Sequence, residues 1–358
     1  MTDLATSPAG QSVVDPSACS PHAPRPGWSA PLVESLLAAK LSSNRLRELL
    51  VSFTPDELLV ESDDELASRF QPARGSSPLD VTALRELLAA CPHQDPDLAP
   101  HSIGDTSQVR CLLLGTPDYP AALDASPAPP LLLYVRGSLV ALATPGIALV
   151  GTRRPSGIAK GTVPATVAAA VELSLPIVSG LALGVDAMAH DAAIAAGLPT
   201  VAVLASHPSH PTPKSNTDLA ERILAAGGAL VSEQPPATSS ASAQALVARN
   251  RIIAGLASCL VPAEASLRSG TMHAVAAAFR ASRPVVVPIP RATAHRFEGA
   301  EGLLALAGLR PLPPEVLRLD AALQAHLDAG PHPANAVAET REELRQMLRL
   351  AHLFSPVS

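Results

Sequence analysis

Aromatic side chains are nearly missing from this chain: Phe, Trp and Tyr make up 2% of its 358 residues. Stacking platforms for bases are therefore scarce, and phosphate contacts should dominate any nucleic-acid binding. Lysine is rare too. Of 26 Lys and Arg residues, lysine is found at 40, 160 and 214 only. With a net charge of −6 there is no general basic signal, so a site for a polyanion has to be local. Four cysteines (Cys19, Cys91, Cys111, Cys259) lack any C-x-x-C spacing, which argues against a zinc or disulfide framework and for reduced structural thiols. His207 and His210 have a spacing a metal could use, but no Cys, Asp or Glu stands beside them. They read as a solvated Pro/His loop, and no metal is expected. No uncharged apolar run approaches the roughly 18 residues of a membrane span, and no basic start precedes one. The sequence reads as a cytoplasmic protein with no membrane association.

What is present divides the chain into four. Residues 1–28, rich in Ser, Pro and Ala, read as a disordered tail. Residues 29–100 form a small helical domain. Leu32, Leu36 and Leu37, then Leu46, Leu49, Leu50 and Phe53, keep helical spacing. Thr54 with Glu57 makes a capping box for a helix through Leu59, Ser62 starts another, and Val81–Ala90 is one more. Gln71–Leu79 reads as a linker. Residues 101–312 form the main domain, and residues 313–358 a short helical appendage with stretches at Glu315–Leu327 and Glu339–Leu350.

In the main domain, strand-like runs at Cys111–Leu114 and Leu131–Val135 precede a regular alternation. Short apolar runs near 147–150, 176–179, 200–204, 229–231, 258–261 and 284–287 are separated by helix-length segments. Continuous apolar runs are what strands buried on both faces require. The alternation predicts an α/β, Rossmann-like, doubly wound parallel sheet, whose ligands bind beyond the carboxyl ends of the strands.

Three glycine-bearing loops fall at that edge: Gly151–Gly157, Ser179–Asp186 and Arg268–Thr271. A strand followed by a glycine turn and a helix start presents free N–H groups and a positive dipole end to an anion. In the first loop, Gly151 and Thr152 lead to Arg153 and Arg154, where a dinucleotide fingerprint would keep small residues. A guanidinium fork suits phosphate oxygens, so this reads as a phosphate clamp. In the second, Gly180 and Gly184 permit close approach, and Asp186 reads as a helix N-cap with His190 packed one turn later. Arg153, Arg154, Lys214, Arg249, Arg251 and Arg268 fall on or beside the loops of one edge and make a basic patch on an acidic protein.

The ordered motifs resemble the DNA-processing protein A family (DprA, also called Smf). Val150-Gly-Thr-Arg153, Ser179–His190, Pro213-Lys-Ser-Asn216, Ser232-Glu-Gln-Pro-Pro236, Arg249–Leu256 and Glu264–Thr271 follow that family's pattern, with Asp118-Tyr-Pro120 and Pro130–Gly137 upstream. The resemblance implies a homodimeric, non-enzymatic protein without cofactor. It would bind single-stranded DNA in natural transformation, shield it, and load the RecA recombinase. Phosphate contacts carry over to Arg153 and Lys214, with Ser179, Gly180, Arg249, Arg251, Ser269 and Gly270 lining the pocket. Gly151, Thr152, Arg154, Asn216, Asn250 and Arg268 complete the expected DNA-binding set. About five phosphate contacts imply a log–log salt slope of roughly −3.5. The N-terminal helices resemble the family's SAM-like domain, and the tail from Pro314 a reduced winged-helix module. The sequence departs from the family at Thr212, where Tyr is usual, and at Leu246-Val247, where Phe-Pro is usual.

An alternative is a nucleotide-binding enzyme of the phosphoribohydrolase (lysine-decarboxylase-like) type, with Arg268–Thr271 as phosphate loop and Glu264 as the acid. The absence of any Pro-Gly-Gly argues against it.

Overall fold

The structure, a computed structural model, describes residues 20, 22–38, 43–69, 81–89, 108–266, 269–288, 335–353 and 355–356. It opens with five short helices, Ala30–Ala38 (α1), Ser43–Ser52 (α2), Pro55–Leu59 (α3), Asp63–Arg69 (α4) and Val81–Ala89 (α5). The Thr54 hydroxyl accepts from Glu57 N–H (3.2 Å) and the Glu57 carboxylate from Thr54 N–H (2.8 Å), the reciprocal box that the spacing predicts. Ser62 and Glu65 repeat it ahead of α4. Residues 22–28, expected within a disordered tail, are ordered against this bundle. Trp28 is buried and donates its indole N–H to Phe53 O (2.7 Å), and Arg25 pairs with Glu57. Residues 1–19 of that tail and the linker 71–79 lie outside the described residues.

The chain then builds one nine-stranded sheet. Its elements are Val109–Leu113 (β1), Ala121–Asp124 (α6), Leu132–Gly137 (β2), Val140–Ala143 (α7), Gly146–Gly151 (β3), Gly157–Leu173 (α8), Ile177–Ser179 (β4), Val185–Ala195 (α9), Thr200–Val203 (β5), Thr217–Ala225 (α10), Ala229–Ser232 (β6), Ala243–Ala248 (α11), Asn250–Gly255 (α12), Ala257–Glu264 (β7), Gly270–Arg280 (α13), Val285–Pro288 (β8), Asn335–Ala338 (β9) and Arg341–Leu353 (α14). The strand order is β1-β2-β6-β5-β4-β3-β7-β8-β9. From β6 to β9 every pairing is parallel, while β1 and β2 run antiparallel at one edge. The central strands are buried, apart from Gly151 at the end of β3, as their apolar runs require. Helices α8, α9 and α14 cover one face around Ile147, Leu149, Val163, Ile177 and Val261. On the other face α12 and α13 share a core with β1, β2 and the N-terminal bundle, which joins through Leu36, Leu46 and Leu84 to Leu112 and Leu133. Tyr134 of β2 also donates to Glu34 of α1 (2.8 Å).

Residues 335–353, placed by sequence in a separate winged-helix-like module, belong to this sheet. β9 pairs in parallel with β8 from Val285–Asn335 to Pro288–Ala338, and α14 buries Leu344 and Leu348 against the core under α8. Arg345 and Arg349 of α14 both pair with Glu172 of α8. The expected helix at 315–327 lies outside the described residues.

Candidate nucleic-acid interface

Successive strands β3, β4, β5 and β6 step one way from β3, and β7, β8 and β9 step the other way. The order reverses between β3 and β7, the switch point at which an open α/β sheet leaves a crevice beyond its carboxyl ends. A cleft of about 380 Å³ occupies that place. Gly151, Thr152 and Arg153 line it from β3, Asn250 and Arg249 from the start of α12, and Ser269, Gly270 and Thr271 from the start of α13. A second cavity of about 160 Å³ adjoins it and shares Arg153, Ala182, Leu246 and Arg249. Its other walls are mostly apolar, Leu183, Ala205, Pro213 and Ala241 among them, with Thr212 adding a hydroxyl. Arg153 is exposed at the junction of the two, and among the described residues it has no carboxylate partner.

Three helices start at this edge, and their first turns differ. At α8, buried Glu264 supplies the anion: its Oε2 accepts from Ser156 N–H (2.8 Å), the Ser156 hydroxyl (2.9 Å) and Ala159 N–H (3.4 Å). This corrects the expectation that the Gly151–Gly157 turn offers its helix end to a phosphate. It also leaves the alternative enzymatic acid buried as an internal cap, outside both cavities. At α9 the N-cap is Gly184 and not Asp186. Asp186 stands in the first turn, where its Oδ2 accepts from Ala182 N–H (3.3 Å) and faces the Arg249 guanidinium at 3.7 Å. At α13 the N-cap Ser269 makes no side-chain cap, its hydroxyl donating to Ser266 O (2.7 Å), and no other described side chain caps the turn. That start opens into the cleft.

Arg249 is the beam behind the site. Its Nη1 donates to Gly180 O and to Val203 O (2.5 Å), tying the ends of β4 and β5 together. A Cβ at Gly180 would collide with that guanidinium, so a side chain there would displace Arg249 from its carbonyl partners. Gly184, at φ +82°, clears Thr152 O in the same way. Burial pushes the Arg249 pKa down and the Asp186 carboxyl up. His190, one turn beyond Asp186, is fully buried. Thr200 Oγ1 donates to Ile177 O (2.9 Å), so the His190 Nδ1 at 2.8 Å is the donor to Thr200. Burial, with the charge of Arg249, pushes its pKa down to about 3.

Of the sequence-predicted residues, Gly151, Thr152, Arg153, Gly180, Arg249, Asn250, Ser269 and Gly270 meet at the two cavities. Lys214 is exposed at the opening of a short turn (Lys214–Asn216) beside Pro213 of the second cavity, and Arg154 is exposed next to Arg153. Three others do different work. Ser179 is buried beneath the loop and donates to Leu149 O (2.6 Å). Asn216 is buried and donates to Leu181 O (2.8 Å). Arg251 turns away to pair with Glu233. Arg268 lies outside the described residues. The sequence reading missed Leu246, Val247 and Leu183 as walls. Val247 and Leu183 are both 47% exposed; the sequence marks Leu246-Val247 only as a departure from the family's Phe-Pro, and nothing in it marks Leu183.

The family model described as DNA recombination-mediator protein A matches residues 110–307, which hold every residue of both cavities. The chain belongs to this family. Protein Smf of Synechocystis is 37% identical over 160 residues, 44% of this chain and 40% of that relative. The chain spans about half the length of the curated relatives it matches. Among solved structures, DNA processing protein A of Streptococcus pneumoniae superposes with a TM-score of 0.62 at 23% identity, covering 88% of this chain and 97% of that one. The Helicobacter pylori protein, solved for its single-stranded DNA binding mode, superposes at 0.52 with 23% identity over 68% and 96%. Both likenesses bear on the fold, a Rossmann-like α/β sheet. Among the described residues no helix is long and apolar enough to cross a membrane.

Proposed function

We propose that this chain is a single-stranded DNA-binding recombination mediator acting in natural transformation. It shields incoming DNA in the cytoplasm as a homodimer and loads the RecA recombinase, without chemistry of its own. One observation carries the reading. Within a family of recombination mediators, this chain has Arg153, without a carboxylate partner among the described residues, between two cavities at the β3–β7 switch point, in a cleft it shares with the start of α13. A guanidinium fork and helix N–H groups suit a phosphodiester. The apolar cavity beside it suits a base without demanding its identity. The related H. pylori structure, described for single-stranded DNA binding, supports the same ligand.

Among the described residues, the free cations at this opening are Arg153, Arg154 and Lys214. Three phosphate contacts imply a log–log salt slope of about −2 for a short single strand. Fluorescence anisotropy of oligo-dT, against duplex of equal length and at two salt concentrations, tests the reading. Wild type is expected to prefer the single strand, and an Arg153→Ala, Lys214→Ala double variant to lose most of that binding with its melting temperature unchanged. Equal binding of duplex, or an unaffected double variant, would overturn it.

A further inference from the structure

The cations of this protein fall into two groups. Among the described residues, Arg25, Arg45, Arg69, Arg85, Arg136, Arg222, Arg249, Arg251, Arg345 and Arg349 are ion-paired. Arg47, Arg110 and Arg283 donate to backbone carbonyls, and Arg280 is engaged as well. The rest are Arg153, Arg154, Lys160, Lys214 and Arg341, all exposed or nearly so, and none has a described partner. Every one of these five follows the carboxyl end of a strand. Arg153, Arg154 and Lys160 come after β3, Lys214 after β5 and Arg341 after β9. In the sheet order β5 and β9 stand five places apart, about 24 Å at the usual strand spacing. Among the described residues, the cations elsewhere are thus engaged, and those bare of a partner lie along this one edge.

Lys160 and Arg341 lie beyond the cleft. Arg341 opens α14 and helps line a further cavity of about 190 Å³ between that helix and the first turns of α8, with Gly157, Gly161, Ala165, Ala338 and Leu344 among its walls. Lys160 does not line that cavity; it stands exposed on α8, one turn from Gly157. Both helix starts here are already capped from within, α8 by Glu264 and α14 by Glu343, which accepts from Glu339 N–H (2.7 Å) and Thr340 N–H (3.3 Å). Attraction for an anion therefore rests on the two side chains. Glu339, which is engaged in an interaction of its own, also lines the cavity.

We infer that the single strand does not end at the cleft but continues over the first turn of α8 to Arg341, with Lys160 and Arg341 as two further phosphate contacts. The path rests on the cleft reading above and extends it from a pocket to a track across the sheet edge. A strand that reaches only the cleft touches three free cations, and a longer one touches all five. Their salt slopes differ accordingly, about −2 against about −3.5.

The test compares oligo-dT of about 4 and about 16 nucleotides, the span of single-strand site sizes. It uses wild type, a Lys160→Ala, Arg341→Ala variant and Arg153→Ala. Both residues of the double variant are solvent-facing, and its melting temperature serves as the fold control. The expected result is unchanged affinity for the short oligomer and a loss on the order of tenfold for the long one, whose slope falls back by about 1.4. Equal affinity and slope for the long oligomer in wild type and double variant would overturn the track while the cleft stands. No binding by wild type, or no effect of Arg153→Ala on either length, would overturn the cleft and the track with it.

Discussion

Helices α8 and α13 follow strands that are hydrogen-bonded to each other, β3 and β7, and both were read from sequence as anion sites. Their first turns have opposite fates. At α8 the place of the anion is taken by Glu264, arriving from the end of β7. At α13 no described side chain takes that place, and the turn lines the cleft. The start of α9, between them in sequence, resembles α8: Asp186 accepts from Ala182 N–H and is answered by Arg249. A strand, a glycine and a helix start announce that an anion is wanted. Whether that anion is the protein's own depends on which carboxylate the fold delivers there.

The sharpest way to break this contrast is at α9. Arg249→Ala would leave Asp186 buried without its cation and untie Gly180 from Val203. The expected cost is about 3–5 kcal/mol, read as a shifted urea midpoint. A midpoint near wild type would show that the beam carries little. Next comes the internal cap of α8. Glu264→Gln removes the charge from three hydrogen bonds and is expected to destabilise by about 2–3 kcal/mol. Its effect on oligo-dT affinity should be small, and a gain in affinity would mean that the vacated turn accepts phosphate after all. The mildest effect is one of acidity. The folded His190 titrates near 3 against an ordinary 6.5, so between those values the unfolded chain holds a proton that the folded chain does not. Stability is therefore full above pH 6.5 and is lost on acidification, by about 2 kcal/mol at pH 5. His190→Gln should flatten that slope in denaturation at pH 7 and pH 5, and an unchanged slope would assign the acid sensitivity to other groups.

The central strands and their helices were legible because burial on both faces writes itself as an uninterrupted apolar run, as in Ile147–Val150 and Cys259–Val261. Capping boxes were legible because both partners lie three residues apart. Long-range partners were not. Glu264 meets Ser156 across 108 residues of chain, and nothing local marks it as a cap. Arg249 and Arg251 look alike in sequence, yet one crosses beneath the cleft while the other leaves it to meet Glu233. Two residues along a helix point to different sides, so a motif that names both could not tell which faces a ligand. The strand Asn335–Ala338 was missed for a simpler reason. Four small residues carry little pattern, and the family resemblance suggested another module.

That last strand has a practical consequence for anyone trimming the chain. A cut at residue 312 follows the boundary that the sequence suggests and spares both cavities of the cleft. It would nevertheless strip β8 of its only described neighbour on that side and take α14 off the flank of α8. The exposed margin would be a short, apolar, parallel strand, Val285–Pro288, with its backbone groups free to recruit another molecule. Such a fragment would be expected to elute as aggregates, however intact its ligand site.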